Sequence, residues 1–426
     1  MTTIRRISSV VAFRRIAALL PSTLLYWVML SVWAAEFDAS PGFGGPDATE
    51  NTIAADRAPA VSVIKRDPLK VWNNWKKEIT GKTGITFSLD YSAVGLNGDG
   101  TTRDNASSGI ARFYGSWDLV NRGSKNTGAF IWKIEYRDGY TEPPPSGFAI
   151  GELGYVGLQE PPFSNQRFRT TNLYWRQRFN EERSTLVAGF LDTTDYVDVY
   201  ALASPWLHFF NFAFSTGSAT IALPNDATLG LAGATMLGEN YYLIGGLTDA
   251  NADPTDPFEG FETFFDENEY FKSVEFGWTT SHERLALDNY HVTLWHKDQQ
   301  DKLAVPSGKG VNLSFTRYLD QRWLPFVRTG WAEDGGTLLE KSLSVGVGYQ
   351  PTPGANLLGF GLNWGEPNET TFGPGLDEQF TAELFYRIAL GQNIAVTADL
   401  QYLKDPALNA NEDSLWVLGL RGRLAL

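Results

Sequence analysis

Two stretches of one connection place carboxylates among aromatic rings. Thr193-Thr194-Asp195-Tyr196-Val197-Asp198-Val199-Tyr200 is followed by Pro205-Trp206-Leu207-His208-Phe209-Phe210-Asn211-Phe212. That combination suits a polyhydroxylated ring. Its CH face stacks on an aromatic ring, while its hydroxyls exchange hydrogen bonds with carboxylates, amides and planar cations. Asp195, Trp206 and Asn211 are the candidates in this connection. The same rings have a plainer use, tying the connection to whatever supports it.

A second set of polar groups falls at alternate positions. Arg112, Lys133, Glu135, Arg137, Arg176 and Arg178 alternate with outward positions, as Trp132, Ile134 and Tyr136 alternate with the three in the middle. Arg328, Arg387, Arg421 and Arg423 repeat the pattern, with Asp90, Asp118, Glu275, Glu383 and Asp399 as counter-charges. Period two puts all of them on one face of a pleated sheet. A polar wall of mixed sign sets up a transverse field and orders water, whereas a wall of one sign selects ions. The plainer role is again structural: inward charges pair and stiffen the wall.

Other chemistries lack their residues. The four histidines are His208, His282, His291 and His296, and His291 and His296, five apart on a strand, face opposite ways. No HExxH, G-x-S-x-G or P-loop stands in the chain. With Cys at 0 there is no thiol nucleophile, disulfide or Cys-ligated metal. No metal, cofactor or enzymatic activity is expected. The formal charge of −14 argues against nucleic acid as a partner.

The elements that carry these residues read as strands. Among 426 residues, aromatics make up 14%, which excludes a disordered chain. The only long apolar run lies at the start. Arg5, Arg6, Arg14 and Arg15 precede Ile16–Ala35, which ends in small residues, so 1–35 reads as a cleaved secretory signal peptide, an anchoring helix being the alternative. That segment holds four Arg and no acid, which leaves the remainder at −18. Acids cluster over 249–269, read as a solvated loop, with surface cation binding as the alternative. Residues 36–68 read as a flexible periplasmic lead segment and 69–82 as a short amphipathic helix carrying Val71, Trp72, Trp75 and Ile79. From 83 to 426 about sixteen strands of about ten residues alternate, often with Trp or Tyr at their ends. The connections alternate too. Those at 96–108, 140–168, 193–225, 250–269, 299–307, 333–339, 366–377 and 404–413 are long. Those at 121–127, 180–183, 237–239, 281–288, 320–323, 351–354 and 391–392 are short. Even strand number, girdles and unequal ends predict an all-β transmembrane antiparallel barrel with long extracellular loops and short periplasmic turns. In lipid no sheet edge can stay unpaired, which dictates closure, and a barrel of this size leaves a water-filled lumen.

Three blocks carry a family resemblance. They are Trp72, Trp75 and Thr80-Gly81 leading into Gly84-Ile85-Thr86-Phe87-Ser88-Leu89-Asp90-Tyr91; Val187-Ala188-Gly189-Phe190-Leu191-Asp192; and Glu383-Leu384-Phe385-Tyr386-Arg387 with Asp399-Leu400-Gln401-Tyr402-Leu403-Lys404-Asp405-Pro406. From about Trp72 onward the chain resembles the carbohydrate-selective porin, OprB family. The resemblance implies sixteen strands, a trimer or a monomer, and facilitated diffusion of monosaccharides such as glucose. It also implies a sugar site built from an Arg and a Glu of early strands and a loop Trp, which match Arg112, Glu135 and Trp206. One departure is the last residue, Leu426, where such barrels usually end in Phe.

The resulting expectation is a porin of the cell outer membrane that passes sugars through a constricted, mixed-charge lumen. A general or ion-selective diffusion porin is the alternative, and a plugged barrel of structural or adhesive role is the third reading. Expected partners are sugar solutes, outer-membrane lipid and lipopolysaccharide, and the outer-membrane assembly machinery.

Overall fold

Alternation decides the shape of the molecule. The computed structural model describes residues 42–58, 60–65 and 68–426; the signal peptide read at 1–35 lies outside them. The strands are β1 (Ile85–Gly98), β2 (Asn105–Val120), β3 (Gly128–Gly139), β4 (Arg167–Phe179), β5 (Ser184–Leu191), β6 (Thr228–Leu237), β7 (Tyr241–Asp249) and β8 (Tyr270–Thr279). They continue as β9 (Asn289–Lys297), β10 (Gly308–Thr316), β11 (Trp323–Asp334), β12 (Leu339–Tyr349), β13 (Leu357–Pro367), β14 (Gln379–Gly391), β15 (Ile394–Lys404) and β16 (Ser414–Ala425). Each pairs antiparallel with its sequence neighbours, and β1 pairs β16 from Asp90↔Ala425 to Gly98↔Val417, so the sixteen strands form a closed barrel. Closure pairs every edge N–H and C=O, the condition lipid imposes.

The outer face is apolar. Leu418 and Leu420 are 56% and 58% exposed, while Val417, Gly419 and Arg421 turn inward between and beside them. Ring pairs edge this band: Trp278, Tyr290 and Phe315 stack near one end, and Tyr402 packs at a tilt against Trp416 near the other. The inner face holds buried Asp90, Arg112, Lys133, Glu135, Arg176, Glu275, Arg328, Glu383 and Asp399. Two connections at the long-loop end, 99–104 and 335–338, are shorter than the alternation predicts. The β1–β2 ladder runs on to Asn97↔Asn105 and β11 to Asp334, so strand replaces loop there.

One irregularity matters for the lumen. The β3–β4 ladder shifts register between Lys133 and Ile134, pairing Lys133 with Asn172 and Ile134 with Thr170. The extra residue, Thr171, reverses the parity of β4 beyond it. Asn172 and Arg176 therefore face inward below the bulge, and Arg169 faces inward above it, with Phe168 out in the apolar band.

Among the described residues two helices precede the barrel. α2 (Lys70–Thr83) lies against the outer wall, where Trp72 and Trp75 meet the ring of Phe87 edge-on at 6.3 and 6.1 Å. It ends at Gly84, whose φ of 77° is the left-handed conformation that closes a helix and starts the strand. α1 (Thr49–Arg57) corrects an expectation. The lead segment was expected to be flexible, yet residues 42–58 cross the barrel interior, with Thr49, Asn51, Thr52 and Ile53 buried. The lumen wall is charged, so a segment can seat there through polar contacts, with none of the apolar periodicity that marks a packed helix.

Candidate pore constriction

The connection between β5 and β6, residues 192–227, folds into the lumen. Buried Asp198 is its main hook. Its carboxylate takes hydrogen bonds from His291 (2.8 Å), from the Gly217 N–H (2.8 Å) and from Arg328. Arg328 also donates to the Asp198 and Ser215 carbonyls at 2.9 and 2.5 Å. The Phe210 and Asn211 N–H groups donate to the Glu383 carboxylate at 2.5 and 3.1 Å. Around these ties Tyr200, Leu202, Phe209 and Phe214 form an apolar core with inward Phe326 and Phe385. Inward glycines make room for it: a Cβ on Gly361 would stand 2.6 Å from Phe214, and one on Gly419 2.6 Å from Phe210. The β11–β16 side of the lumen is thus filled.

The β2–β5 side stays open and polar. A cavity of about 420 Å³ is bordered there by Lys133, Glu135 and Arg137 of β3, Arg169 of β4, Trp206, and Asp226 at the end of the connection. Asp226 ties both arginines, Arg169 at 2.5 Å and Arg137 at 3.3 Å, and Arg137 also donates to Glu135 Oε2 at 2.7 Å. Lys133 lies 3.4 Å from Asp195 and 3.9 Å from Asp192, and donates to the Asp47 carbonyl at 3.0 Å. Four polar atoms on this lining are buried without a protein partner: Glu135 Oε1, Arg169 Nε, Ser164 Oγ and Thr171 Oγ1.

Electrostatics follow from crowding. Burial, then neighbouring Asp226 and Asp195, push the Asp192 carboxyl well up, and burial raises Asp195 against the pull of Lys133. Burial works to raise Asp226 too, but Arg169 and Arg137 hold it below the usual carboxylate range. Outside the cavity, burial pushes Glu160 up to about 8 despite its pair with Arg421 at 2.6 Å.

The expected residues fall into three places. Lys133, Glu135, Arg137 and Trp206 border the cavity. Arg112 stands behind Trp206, its guanidinium carbon 3.7 Å from the ring centre and its Nε 2.8 Å from Asp90. Asp195 lies behind Lys133 and takes a 2.9 Å bond from Asn172. Arg176 and Arg178 sit lower and bind Glu50 of α1. Asn211 lies across the lumen, where its Oδ1 accepts the Ala213 N–H at 3.0 Å and its Nδ2 donates to Gln401. Sequence reasoning missed Arg169, because simple alternation back from Asn172 points it outward, and Asp226, because it stands outside any strand. Asp192, quoted in a resemblance block, was not singled out.

Residues 319–426 match the carbohydrate-selective porin, OprB family. The match covers β11–β16 and includes the distinctive block from Glu383 to Pro406, so the resemblance holds over this part of the chain. No curated protein matches. Among solved structures the high-pH form of Pseudomonas putida OprB superposes with a TM-score of 0.64 at 15% identity, covering 86% of this chain and 100% of that one. The low-pH form of P. putida OprB gives 0.52 at 14% identity, covering 84% and 98%. A Rh. blastica porin variant gives 0.50 at 11% identity, covering 80% and 100%. At such identities the likeness concerns the fold: a porin barrel with an OprB-type C-terminal region.

Proposed function

We propose that this chain is an outer-membrane channel, not an enzyme, for facilitated diffusion of carbohydrates such as glucose, with the cavity beside Trp206 as the sugar-recognition site. Both termini and the short turns then face the periplasm, and the long connections face outward. The observation that carries the reading is the pair of side chains, Glu135 and Arg169, that border one cavity together with Trp206 and each keep one buried polar atom, Oε1 and Nε, without a protein partner. One accepts and one donates, as a hydroxyl pair requires, and the ring offers a face to the CH side of a pyranose. The cavity volume falls within the roughly 300–1,000 Å³ of small-molecule sites. The cations that would otherwise hold an ion tightly are already paired through Asp226 and Asp195, so the site offers hydrogen bonds without a strong net field. Passage needs such weak, exchangeable binding.

Liposome swelling tests the reading. Glucose should enter faster than an uncharged non-sugar of equal size, and the ratio does not depend on how many channels are open. Glu135→Gln should bring the two rates together. Equal rates in the unaltered protein would reject sugar selectivity, and strong ion selectivity with equal rates would identify a general or ion-selective porin.

A further inference from the structure

We propose that residues 42–58 are the gate of this channel, a plug seated in the short-turn end of the lumen that must leave for solute to pass. The inference rests on the channel reading above. The first support is the partition. The cavity beside Trp206 shares no lining residue with the spaces of about 150 and 710 Å³ at the short-turn end, and a small space of about 90 Å³ beside the plug touches the two sides at Asp192 and Asn51. The division runs between adjacent residues: Asp47 and Trp206 border the upper cavity, Pro46 and Leu207 the 150 Å³ one. The plug and the 192–227 connection together make that floor, joined where the Gly45 N–H donates to the Asp195 carbonyl at 2.7 Å and Ser204 donates to the Asp47 carboxylate at 2.5 Å.

The second support is the route of the chain. Phe43 packs on His282 of the 280–288 turn, ring centres 4.6 Å apart. On the other side of α1 the Val61 N–H donates to Gly354 and the Ile64 N–H to Leu390, at 2.7 and 2.8 Å. Entry and exit thus lie at the same end, so the segment can withdraw without threading the barrel.

The third support is the chemistry of the seat. Glu50 binds Arg176 at 2.8 Å and Arg178 at 3.2 Å; Asp56 binds Arg423 at 2.7 Å and the Tyr114 hydroxyl at 2.5 Å. Of the four buried residues of α1 only Ile53 is apolar, and ahead of the helix Phe43 adds one buried ring. Water can replace each polar contact when the plug leaves, whereas a permanent element would bury an apolar stripe. A helix of nine residues without a side-chain N-cap is also too short to persist alone, so release gains chain entropy. Arg176 and Arg178 then become part of the pore wall.

Single-channel recording in KCl of the purified full-length barrel tests this without sugar. Glu50→Gln/Asp56→Asn should raise open probability about tenfold or more, since it removes the plug's ion pairs while Arg176, Arg178 and Arg423 keep their wall partners Asp118, Glu182 and Asp90. A Cβ on Gly45 would stand 3.0 Å from the Val199 Cβ, so the two segments need to part by about 0.5–1 Å to reach the roughly 3.5–4.5 Å of a disulfide, and the chain has 0 Cys. Gly45→Cys/Val199→Cys added to the first pair should therefore suppress openings when oxidised and restore them on reduction. Identical recordings for the unaltered, neutralised and cross-linked barrels would overturn the gate and leave the channel reading intact. A barrel that passes no ion in any variant, deletion of 42–58 included, would overturn both.

Discussion

The guanidinium of Arg112 lies flat on Trp206, 3.7 Å from the ring centre, while its Nε and Nη2 grip Asp90 and Arg423 holds Asp90 from the other side at 2.7 Å. Arg112 is buried and does not border the cavity. Its work is to fix the indole, one face against the cation and the rest bordering the cavity. A desolvated cation–π contact of this kind contributes about 2 kcal/mol. In the proposed sugar site the Arg of the Arg, Glu and Trp set would act through the Trp.

Trp206→Ala should weaken sugar block of single-channel current by about tenfold, the loss of one stacking face. Arg112→Ala should give a similar loss, and the double substitution should add little to either. Additive effects would show that Arg112 contacts sugar directly. The measurement is a glucose titration of block for all four proteins, with heat-shifted gel mobility as the check on folding.

Most of this arrangement was legible in the sequence because barrel strands obey one rule. Period-two alternation places Lys133, Glu135 and Arg137 together on an inward face, and nothing in β3 disturbs it. Arg169 escaped because a bulge leaves no mark in composition: Thr171 looks like any β-branched strand residue, yet it reverses which face follows. The lead segment escaped for a different reason. Reading it as unstructured assumed that order requires apolar burial. In a wet, charged lumen Glu50 and Asp56 are held by Arg176 and Arg423 instead, and those partners are more than a hundred residues away. Asn211, a candidate for binding, lies against Gln401 on the far wall, because whether such a residue faces a cavity or the wall depends on packing that spacing does not encode.

The connection over 192–227 should loosen when its tie to the wall is cut. Glu383→Ala leaves the Phe210 and Asn211 N–H groups without their acceptor, at about 1–3 kcal/mol for each buried donor. Arg328→Ala strands buried Asp198, at about 3–5 kcal/mol. Both should speed amide exchange over residues 196–218 while exchange in β6–β9 stays slow. Uniform loss of protection around the whole barrel would show that these residues hold the barrel together and not the loop.

Seating of the plug should depend on acidity through Asp47. Burial raises this carboxyl to about 6, opposed by the Ser204 hydroxyl, by Lys133 of β3 and by Arg112 of β2, and reinforced by Asp195. A seated plug thus holds its Asp47 proton more tightly than a released one, whose carboxyl titrates near 3.8. Between these values the seated state binds more protons, so seating weakens as pH rises through the window and is weakest above about 6. Open probability should climb between pH 4 and 6.5, and Asp47→Asn should flatten that climb. An unchanged slope in Asp47→Asn would assign the pH dependence to other groups.

Leu420 and Arg421 are neighbours on β16 that face opposite media. Leu420 is 58% exposed on the outer face, paired with Gly95 and Ala398; Arg421 is 1% exposed and donates to Glu160 and to the Pro205 and His208 carbonyls inside. An arginine on the lipid face near mid-strand costs about 2–4 kcal/mol. Leu420→Arg should therefore lower unfolding stability in bilayers by that amount without changing pore current, because its side chain never meets the lumen. Arg421→Leu should do the reverse: it leaves Glu160 without its cation and frees the 205–208 segment that helps divide the lumen, so current should change even where the barrel survives. A Leu420→Arg barrel of normal stability in lipid would mean that this face does not meet acyl chains, which would remove the basis for reading the alternation as a membrane pattern.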